Sequence, residues 1–316
     1  MAMFDTSQIQ GSIDTLSMVH KCELMIWPDE LIERGFEKKP GKFPGTSKWI
    51  HNGEKGNYEP QLTIYQDFYR CWHCRTDLSV PRLMFGNNCE LPSHEHIREA
   101  MHIVSNNCEL RSGVPFDAFT AFVCRIDYAI NILCEQHLVG ALIAYFARFD
   151  IARMLRKTVG NETVYFENNS RAIRIYNKLA QTIRKYKDRP DLIEKAIGIV
   201  RAEYYVKGQP AVNRFVDQRG LADSTVNTLI SPNVIESVTS EMLGLLHLEN
   251  VDLCSGNDFR SILAISGDIK EAIGLFGFTG AIDALGEDFY RDPSLDYSKS
   301  TYERNQRKCR DLGLTL

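Results

Sequence analysis

The stretch TVYFENNSRAIRIYNK, which covers residues 163–178, carries the clearest structural pattern in this chain. Apolar and polar residues alternate on both sides of a polar run at residues 167–170. Alternation is typical of strands, and a short polar run between two such segments is typical of a turn. The stretch therefore predicts a strand, a tight turn and a second strand that ends in Tyr176 and Lys178.

Further segments of the same kind extend the predicted sheet in both directions. Strand patterns occur at residues 13–19, 61–65, 69–74, 119–131 and 200–207, and residues 78–85 are predicted to be extended. Residues 40–60 are rich in Gly, Pro, Asn and Lys, which predicts a loop or a small insertion. Helices are predicted at residues 93–104, 135–157, 178–186 and 191–199. These elements predict an α+β fold with a central, mostly antiparallel sheet flanked by helices.

The last third of the chain has a different pattern. Strand signals stop near residue 221, and residues 233–248, 257–275 and 299–311 have helical periodicity. We therefore divide the chain into an α+β domain at residues 1–220, which contains the candidate functional residues considered below, and a helical C-terminal region at residues 221–316.

Composition limits the classes of protein to which the chain can belong. It has 316 residues, of which 44% are hydrophobic, and it contains no apolar run long enough to span a membrane. The N-terminus lacks the pattern of a signal peptide, so a cytoplasmic protein without a membrane partner is expected. The nine cysteines are scattered and odd in number, which favours reduced thiols. Cys71 and Cys74 have the spacing of metal ligands, but no second pair accompanies them.

Positive charge is concentrated around the predicted hairpin. The whole chain has a formal charge of −4, but residues 153–189 contain ten basic and three acidic residues, a local charge of +7. Such a window is typical of a phosphate-binding surface, although a solvated basic helix face gives the same pattern. The predicted DNA contacts in this window are Arg171, Arg174, Arg184, Lys185 and Lys187.

Tyr176 is a candidate nucleophile. A tyrosine hydroxyl can attack a phosphodiester if a metal ion or a neighbouring cation lowers the barrier to its ionisation. Lys178 follows two residues later and is the candidate catalytic cation. Outside this basic setting, a single strand tyrosine is more commonly a packing residue.

Carboxylates in apolar strands are candidate metal ligands. Asp127 and Glu203 each lie alone in an apolar segment, and each follows an arginine by two residues. Carboxylate oxygens suit Mg²⁺ or Mn²⁺. A structural salt bridge with Arg125 or Arg201 is the alternative for each acid. His94 and His96 are predicted to be surface residues at the start of a helix and are not assigned as ligands.

The order of several short motifs resembles the replication initiators of filamentous phages, the gene II and phage X type. The motifs are IDTL at 13–16, LSVPRLMFGNN at 78–88, RID at 125–127, the segment 163–178 and VRAE at 200–203. The resemblance covers most of residues 12–215 and is distantly shared with the Rep nickases of small plasmids. It implies a fold like that of the HUH endonucleases and rolling-circle replication initiated by a site-specific nick.

The resemblance also implies roles for individual residues. Tyr176 matches the nicking tyrosine and Lys178 the lysine after it, with a 5′-phosphotyrosine as intermediate. Relatives often have a glutamate before the segment at 79–81, and the acid here is Asp77, which becomes the third expected metal ligand. Further DNA contacts are assigned to Arg125, Arg201, Asn87 and Asn88. Expected partners are double-stranded and single-stranded origin DNA, a host helicase and a host polymerase.

Two other functions remain open at this point. A single-strand transposase or relaxase would form the same covalent bond on different DNA. A DNA-binding regulator without catalysis would have the basic surface but no reactive tyrosine.

Overall fold

The structure is a computed structural model of the whole chain. It describes residues 9–22, 28–53, 58–160, 162–247, 269–285, 289–291 and 297–312. Part of the helix predicted at 257–275 lies outside these residues.

Among the described residues, ten strands form a single sheet in which every neighbouring pair is antiparallel, with the order β2-β3-β4-β5-β1-β6-β10-β9-β8-β7. The strands are β1 (Gly11–Cys22), β2 (Glu37–Pro40), β3 (Ser47–His51), β4 (Gln61–Gln66), β5 (Trp72–Ser79), β6 (Phe122–Leu133), β7 (Leu155–Val159), β8 (Thr163–Glu167), β9 (Arg171–Asn177) and β10 (Ile199–Lys207). This confirms the predicted α+β class with a large antiparallel sheet.

The helices among the described residues are mostly short. They are α1 (Glu30–Glu33), α2 (Val80–Phe85), α3 (His94–Ser112), α4 (Val139–Phe146), α5 (Lys178–Lys185), α6 (Pro190–Lys195), α7 (Gln209–Arg219), α8 (Val226–Leu229), α9 (Pro232–Leu246), α10 (Ile269–Leu285) and α11 (Lys299–Asp311). Within the described segments, no helix combines the length and apolarity needed to cross a membrane.

The two faces of the sheet differ in polarity because side chains alternate along each strand. One face is apolar: Leu16, Ile126 and Ile173 belong to its buried core. The helices α4, α7 and α9 contact the strands of this face, and Cys108 of α3 contacts Thr76 of β5 there. Burial of this face against helices stabilises the fold.

The opposite face carries polar and charged side chains from six neighbouring strands. Register places Asp77, Ser17 and Arg125 in one row, and Arg174 beside Glu203 in another. One end of this polar face is covered by α5, α6 and the segment that joins α2 to α3. A small core of Cys89, Leu192 and Ala196 holds these covering elements together.

The helical region after residue 220 is packed on the sheet. Helix α9 contacts β1 and β6, and its buried side chains are part of the same core as those of the strands. The change from strands to helices near residue 220 is present in the described residues. It does not divide the hydrophobic core, which is shared by both parts.

Three local predictions were wrong. Residues 135–157 do not form one helix: α4 ends at Phe146, Arg153 has a positive φ of 64°, and β7 follows. Residues 78–85 form the end of β5 and the helix α2, in which Pro81 lies in the first turn and Gly86 ends the helix in a left-handed conformation. Residues 40–60 contain β3, which pairs with β2 and β4.

Candidate active site

Tyr176 lies at the end of β9 on the polar face, and the neighbouring strand β10 supplies its partner. Its hydroxyl donates a hydrogen bond to Oε1 of Glu203 over 2.7 Å. Burial and the charge of Glu203 hold the pKa of Tyr176 well above its usual value. Burial, with the charge of Asp14 adding to it, raises the pKa of Glu203. The pair is thus a phenol in contact with a carboxylate of raised basicity.

Lys178 occupies the first turn of α5, which Asn177 caps by accepting a hydrogen bond from the backbone of Ala180. The lysine side chain is fully buried and donates to Oε1 of Gln181 over 3.0 Å. Its ammonium lies 5.6 Å from the centre of the Tyr176 ring. Burial and the charge of Arg201 lower the pKa of Lys178 to about 7. Lys178 can therefore release and take up a proton near neutral pH.

Arg201 is fully buried and organises the floor of the site. Its guanidinium donates to Asp14 over 3.2 Å, to the carbonyls of Asn88 and Cys89 over 2.6 and 2.8 Å, and to Asn131 over 2.9 Å. These bonds tie β10 to β1, β6 and the α2–α3 segment. Arg201 was predicted to contact DNA, but its side chain is enclosed by these partners, and its role in this structure is to position its neighbours.

Because Arg201 donates its hydrogen bonds to these other partners, Glu203 can accept the hydrogen bond from Tyr176. Among the described residues, Glu203 receives a long contact of 3.9 Å from Arg174 in addition to the hydrogen bond from the tyrosine hydroxyl. The proposed alternative for this acid, a salt bridge to the arginine two residues earlier, is therefore not what the structure has.

Asp127 and Asp77 behave in the opposite way. Each accepts two hydrogen bonds from the arginine two residues earlier on its own strand: Asp127 from Arg125 over 2.8 and 2.6 Å, and Asp77 from Arg75 over 3.0 and 2.8 Å. Burial raises the pKa of Asp127, although Arg125 opposes the shift. Both acids are thus salt-bridge partners of arginines, which was the alternative for Asp127.

The three predicted metal ligands do not fit one ion. Asp77 is on β5 and Glu203 on β10, three strand spacings apart, which corresponds to about 14 Å. Ligands of one Mg²⁺ lie about 2 Å from the ion, so these two acids cannot share it. Asp127 is occupied by Arg125. Across the described segments, no group of three or more His, Cys, Asp or Glu side chains is arranged to hold a metal ion.

Arg174 adjoins the tyrosine, and Lys185 lies near both Arg174 and Arg82. The guanidinium of Arg174 lies 4.4 Å from the centre of the Tyr176 ring and 5.4 Å from that of Tyr165. Lys185 on α5 has a lowered pKa because of partial burial and the positive charges of Arg82 and Arg174. The Nε atoms of Arg82 and Arg174 are buried and have no hydrogen-bond acceptor in the described structure. Like charges with unsatisfied donors favour an anion at this point.

The remaining predicted DNA contacts are in varied settings. Arg184 and Lys187 are exposed, and Arg184 pairs with Glu162. Arg171 is on the apolar side of β9, near Tyr204 and Glu241. Asn87 is buried and closes a turn by accepting a hydrogen bond from the backbone of Cys89. Asn88 is buried, and its side-chain oxygen has no hydrogen-bond partner within the described segments. His94 and His96 begin α3, as predicted, with His96 bonded to the capping Ser93.

Sequence reasoning missed Asp14 and Arg82. Asp14 is the extra residue of a β-bulge between β1 and β6, and bulges commonly redirect side chains at sites. It is a single acid within an apolar strand, the same signal that selected Asp127 and Glu203, and could have been found that way. Arg82 has no such signal, because residues 78–85 were predicted to be extended.

Comparisons with known proteins give no family for the chain. No family model matches it, and none of the curated proteins matches it. Among solved structures, TBP of Methanococcus jannaschii aligns with a TM-score of 0.31 and 8% identity, covering 66% of this chain and 95% of that one. A similarity of this size carries no argument about fold or function.

Proposed function

We propose that the chain is a DNA-nicking enzyme that uses Tyr176 as its nucleophile. The observation that carries the proposal is the 2.7 Å hydrogen bond from the Tyr176 hydroxyl to Glu203, next to a buried lysine whose pKa is about 7. This is the arrangement of a nucleophile, a proton acceptor and a proton donor.

The proposed reaction is a transesterification. Tyr176 transfers its proton to Glu203 while its oxygen attacks the phosphorus of a phosphodiester. The bond from phosphorus to the 3′ oxygen breaks, the phosphate stays linked to Tyr176 at the 5′ side, and the 3′ oxygen takes a proton from Lys178. Rejoining is the reverse reaction with the proton roles exchanged, so no net oxidation or hydrolysis occurs.

Arg174 lies over the Tyr176 ring, and it would hold the scissile phosphate together with Arg82 and Lys185. These cations come from β9, α2 and α5, and the Nε atoms of Arg82 and Arg174 are buried and have no acceptor among the described residues. A phosphate placed among them would supply those acceptors and reduce the repulsion between the three positive charges.

Access to the tyrosine requires a local rearrangement. Tyr176 is only 1% exposed, and Arg174 lies over its ring. We infer that a bound phosphate draws Arg174 away from the ring and thereby opens the path to the hydroxyl. Arg174 is suited to this movement because its contact with Glu203 is long, at 3.9 Å.

The wider assignment rests on the sequence resemblance. It is that of a cytoplasmic rolling-circle replication initiator of the filamentous-phage type with an HUH-like fold, acting on origin DNA with a host helicase and polymerase. Dependence on Mg²⁺ or Mn²⁺ is part of this assignment, but the predicted donor set does not fit one ion, and the steps above do not involve a metal.

The burial of Tyr176 favours a second candidate function, a DNA-binding regulator without strand cleavage. In that case the bond to Glu203 only satisfies two buried polar groups, as such groups generally require. A covalent protein–DNA adduct distinguishes the two functions.

The test uses the full chain and supercoiled plasmids that carry segments of the DNA on which its coding sequence lies. Nicking is scored by relaxation, with and without EDTA, and adducts are isolated in detergent and digested for mass spectrometry. The nickase proposal expects a nucleotide on Tyr176 and its loss in Tyr176→Phe. Tyr165→Phe, which changes a neighbouring tyrosine that also contacts Arg174, is the matched control. An adduct on another tyrosine, or DNA binding without any adduct, would overturn the assignment.

A further inference from the structure

A second feature lies at the far end of the sheet from Tyr176. The β2–β3 turn and the β4–β5 turn are adjacent there, because the start of β3 pairs with the end of β4. Together they present three aromatic rings and two cations, which we name the aromatic knuckle: Phe43, Phe68, Tyr69, Lys42 and Arg70.

The rings of the knuckle are in contact with one another, and two of them, Phe68 and Tyr69, are open to solvent. Phe68 is 68% and Tyr69 is 81% exposed. The ring centres of Phe43 and Phe68 are 5.7 Å apart, and those of Phe68 and Tyr69 are 5.5 Å apart, both with edge-to-face geometry. An exposed cluster of large aromatic side chains is uncommon on protein surfaces and indicates an interaction site.

The turn that carries these rings is held in place by its own hydrogen bonds. Asp67 Oδ1 accepts from the backbone of Tyr69 and of Cys71 over 2.8 and 2.9 Å. Arg70 adopts a positive φ of 64°, and its guanidinium donates to the carbonyl of Gly45 in the neighbouring turn over 3.2 Å. The two turns are therefore linked, and the exposed rings are displayed from a fixed support.

The surroundings of the knuckle are basic. Residues 37–48 and 66–71 contain five basic and two acidic residues, a net charge of +3 in a chain of net charge −4. The ammonium of Lys42 lies 5.6 Å from the ring of Phe43. A protein-binding patch generally has few charges at its centre, whereas aromatic rings interleaved with cations match the bases and phosphates of nucleic acid.

We propose that the aromatic knuckle binds single-stranded DNA by stacking Phe68 and Tyr69 on unpaired bases, while Lys42 and Arg70 contact the flanking phosphates. Bases in a duplex are covered by their neighbours, so single strands are the form that the edge-displayed rings can reach. The knuckle and Tyr176 are at opposite ends of the strands, a separation on the order of 40 Å by strand rise and spacing. The knuckle therefore acts independently of the proposed chemistry at Tyr176.

The test compares the binding of fluorescein-labelled oligo(dT) and of a labelled duplex by anisotropy. The variant Phe68→Ala/Tyr69→Ala is expected to bind oligo(dT) at least about 10-fold more weakly, since base stacking is removed at two positions. Duplex binding should change by less than about 2-fold, because phosphate contacts dominate it. Leu155→Ala, which removes a 79% exposed side chain on the opposite edge strand β7, is the matched control.

Two further variants keep the result interpretable. Phe68→Trp/Tyr69→Trp retains ring surfaces and should retain oligo(dT) binding. Tyr69→Ala alone serves if the double variant does not fold, and folding is checked by thermal unfolding. Unchanged oligo(dT) binding, or equal loss on single strand and duplex, would overturn the proposal. The same binding should persist in Tyr176→Phe, so failure here is distinguishable from failure of the nickase assignment.

Discussion

The buried Lys178 makes a quantitative prediction about stability. Burial lowers its pKa from 10.5 to about 7 in the folded chain. A difference of one in pKa corresponds to about 1.4 kcal/mol, so burying the protonated lysine costs the folded chain about 5 kcal/mol. Between these two values the unfolded chain binds more protons than the folded chain, and the free energy of unfolding therefore rises with pH there. Below pH 7 the lysine is protonated in both the folded and the unfolded chain, and the full cost of burying its charge is present.

Lys178→Met isolates this contribution because methionine fills a similar volume and does not titrate. The variant loses the hydrogen bond to Gln181, which contributes about 1 kcal/mol. It is nevertheless expected to be more stable than the wild type at pH 7, because the cost of the buried charge is larger. The difference between the two unfolding free energies should shrink by about 4 kcal/mol from pH 7 to pH 10. Urea unfolding followed by circular dichroism at four pH values measures it.

The control is Lys187→Met, which changes an exposed lysine just beyond α5. Because this side chain is exposed, the substitution should change the free energy of unfolding by less than about 0.5 kcal/mol. If the curves for Lys178→Met and the wild type run parallel, the lysine is protonated in the folded state throughout, and its assignment as a proton donor near neutral pH fails.

Four further predictions concern activity and binding. Glu203→Gln should reduce the rate of adduct formation by at least about 100-fold, the size of a lost general base, with DNA binding retained in a gel-shift assay. Adduct formation in the wild type should decline above about pH 7 as Lys178 loses its proton, and Lys178→Arg should remove that decline in a pH–rate profile. Asp127→Asn should lower the melting temperature, because it breaks the bidentate pair with Arg125, yet leave the adduct rate unchanged at saturating DNA; a large rate loss would restore its role as a ligand. Replacing Arg184, Lys185 and Lys187 with alanine should lower the slope of log affinity against log salt by up to about three, and an unchanged slope would show that they do not contact phosphates.

Much of the sheet could be predicted from local sequence. The hairpin of β8 and β9, the pairing arms β4 and β5, and the long strands β1, β6 and β10 follow from alternation of polar and apolar residues. The start of α3 follows from Ser93, which accepts a hydrogen bond from the backbone of His96. These elements can be predicted because the patterns that indicate them lie within a few neighbouring residues.

Other elements depend on partners that are distant in sequence. The helix predicted at 135–157 is broken because residues 155–159 pair with β8 as an edge strand, a preference that local propensity does not contain. Helix α2 has six residues and is held mainly by contacts with β1 and α3. Such short elements derive their stability from tertiary packing.

The same division applies to the candidate active site. Local sequence was sufficient to identify Tyr176 and Lys178, their place at the end of a basic strand, and the isolated acids in apolar strands. The acid that contacts the tyrosine is set by long-range packing. Three Arg-x-acid segments are equivalent in sequence, at 75–77, 125–127 and 201–203. In two of them the arginine binds its own acid. In the third, Arg201 is drawn to Asp14 and to backbone carbonyls of the α2–α3 segment, so Glu203 is left to Tyr176. The physical reason is that a buried charge binds the partners that fully satisfy its hydrogen bonds, and these partners come from strands and loops far apart along the chain.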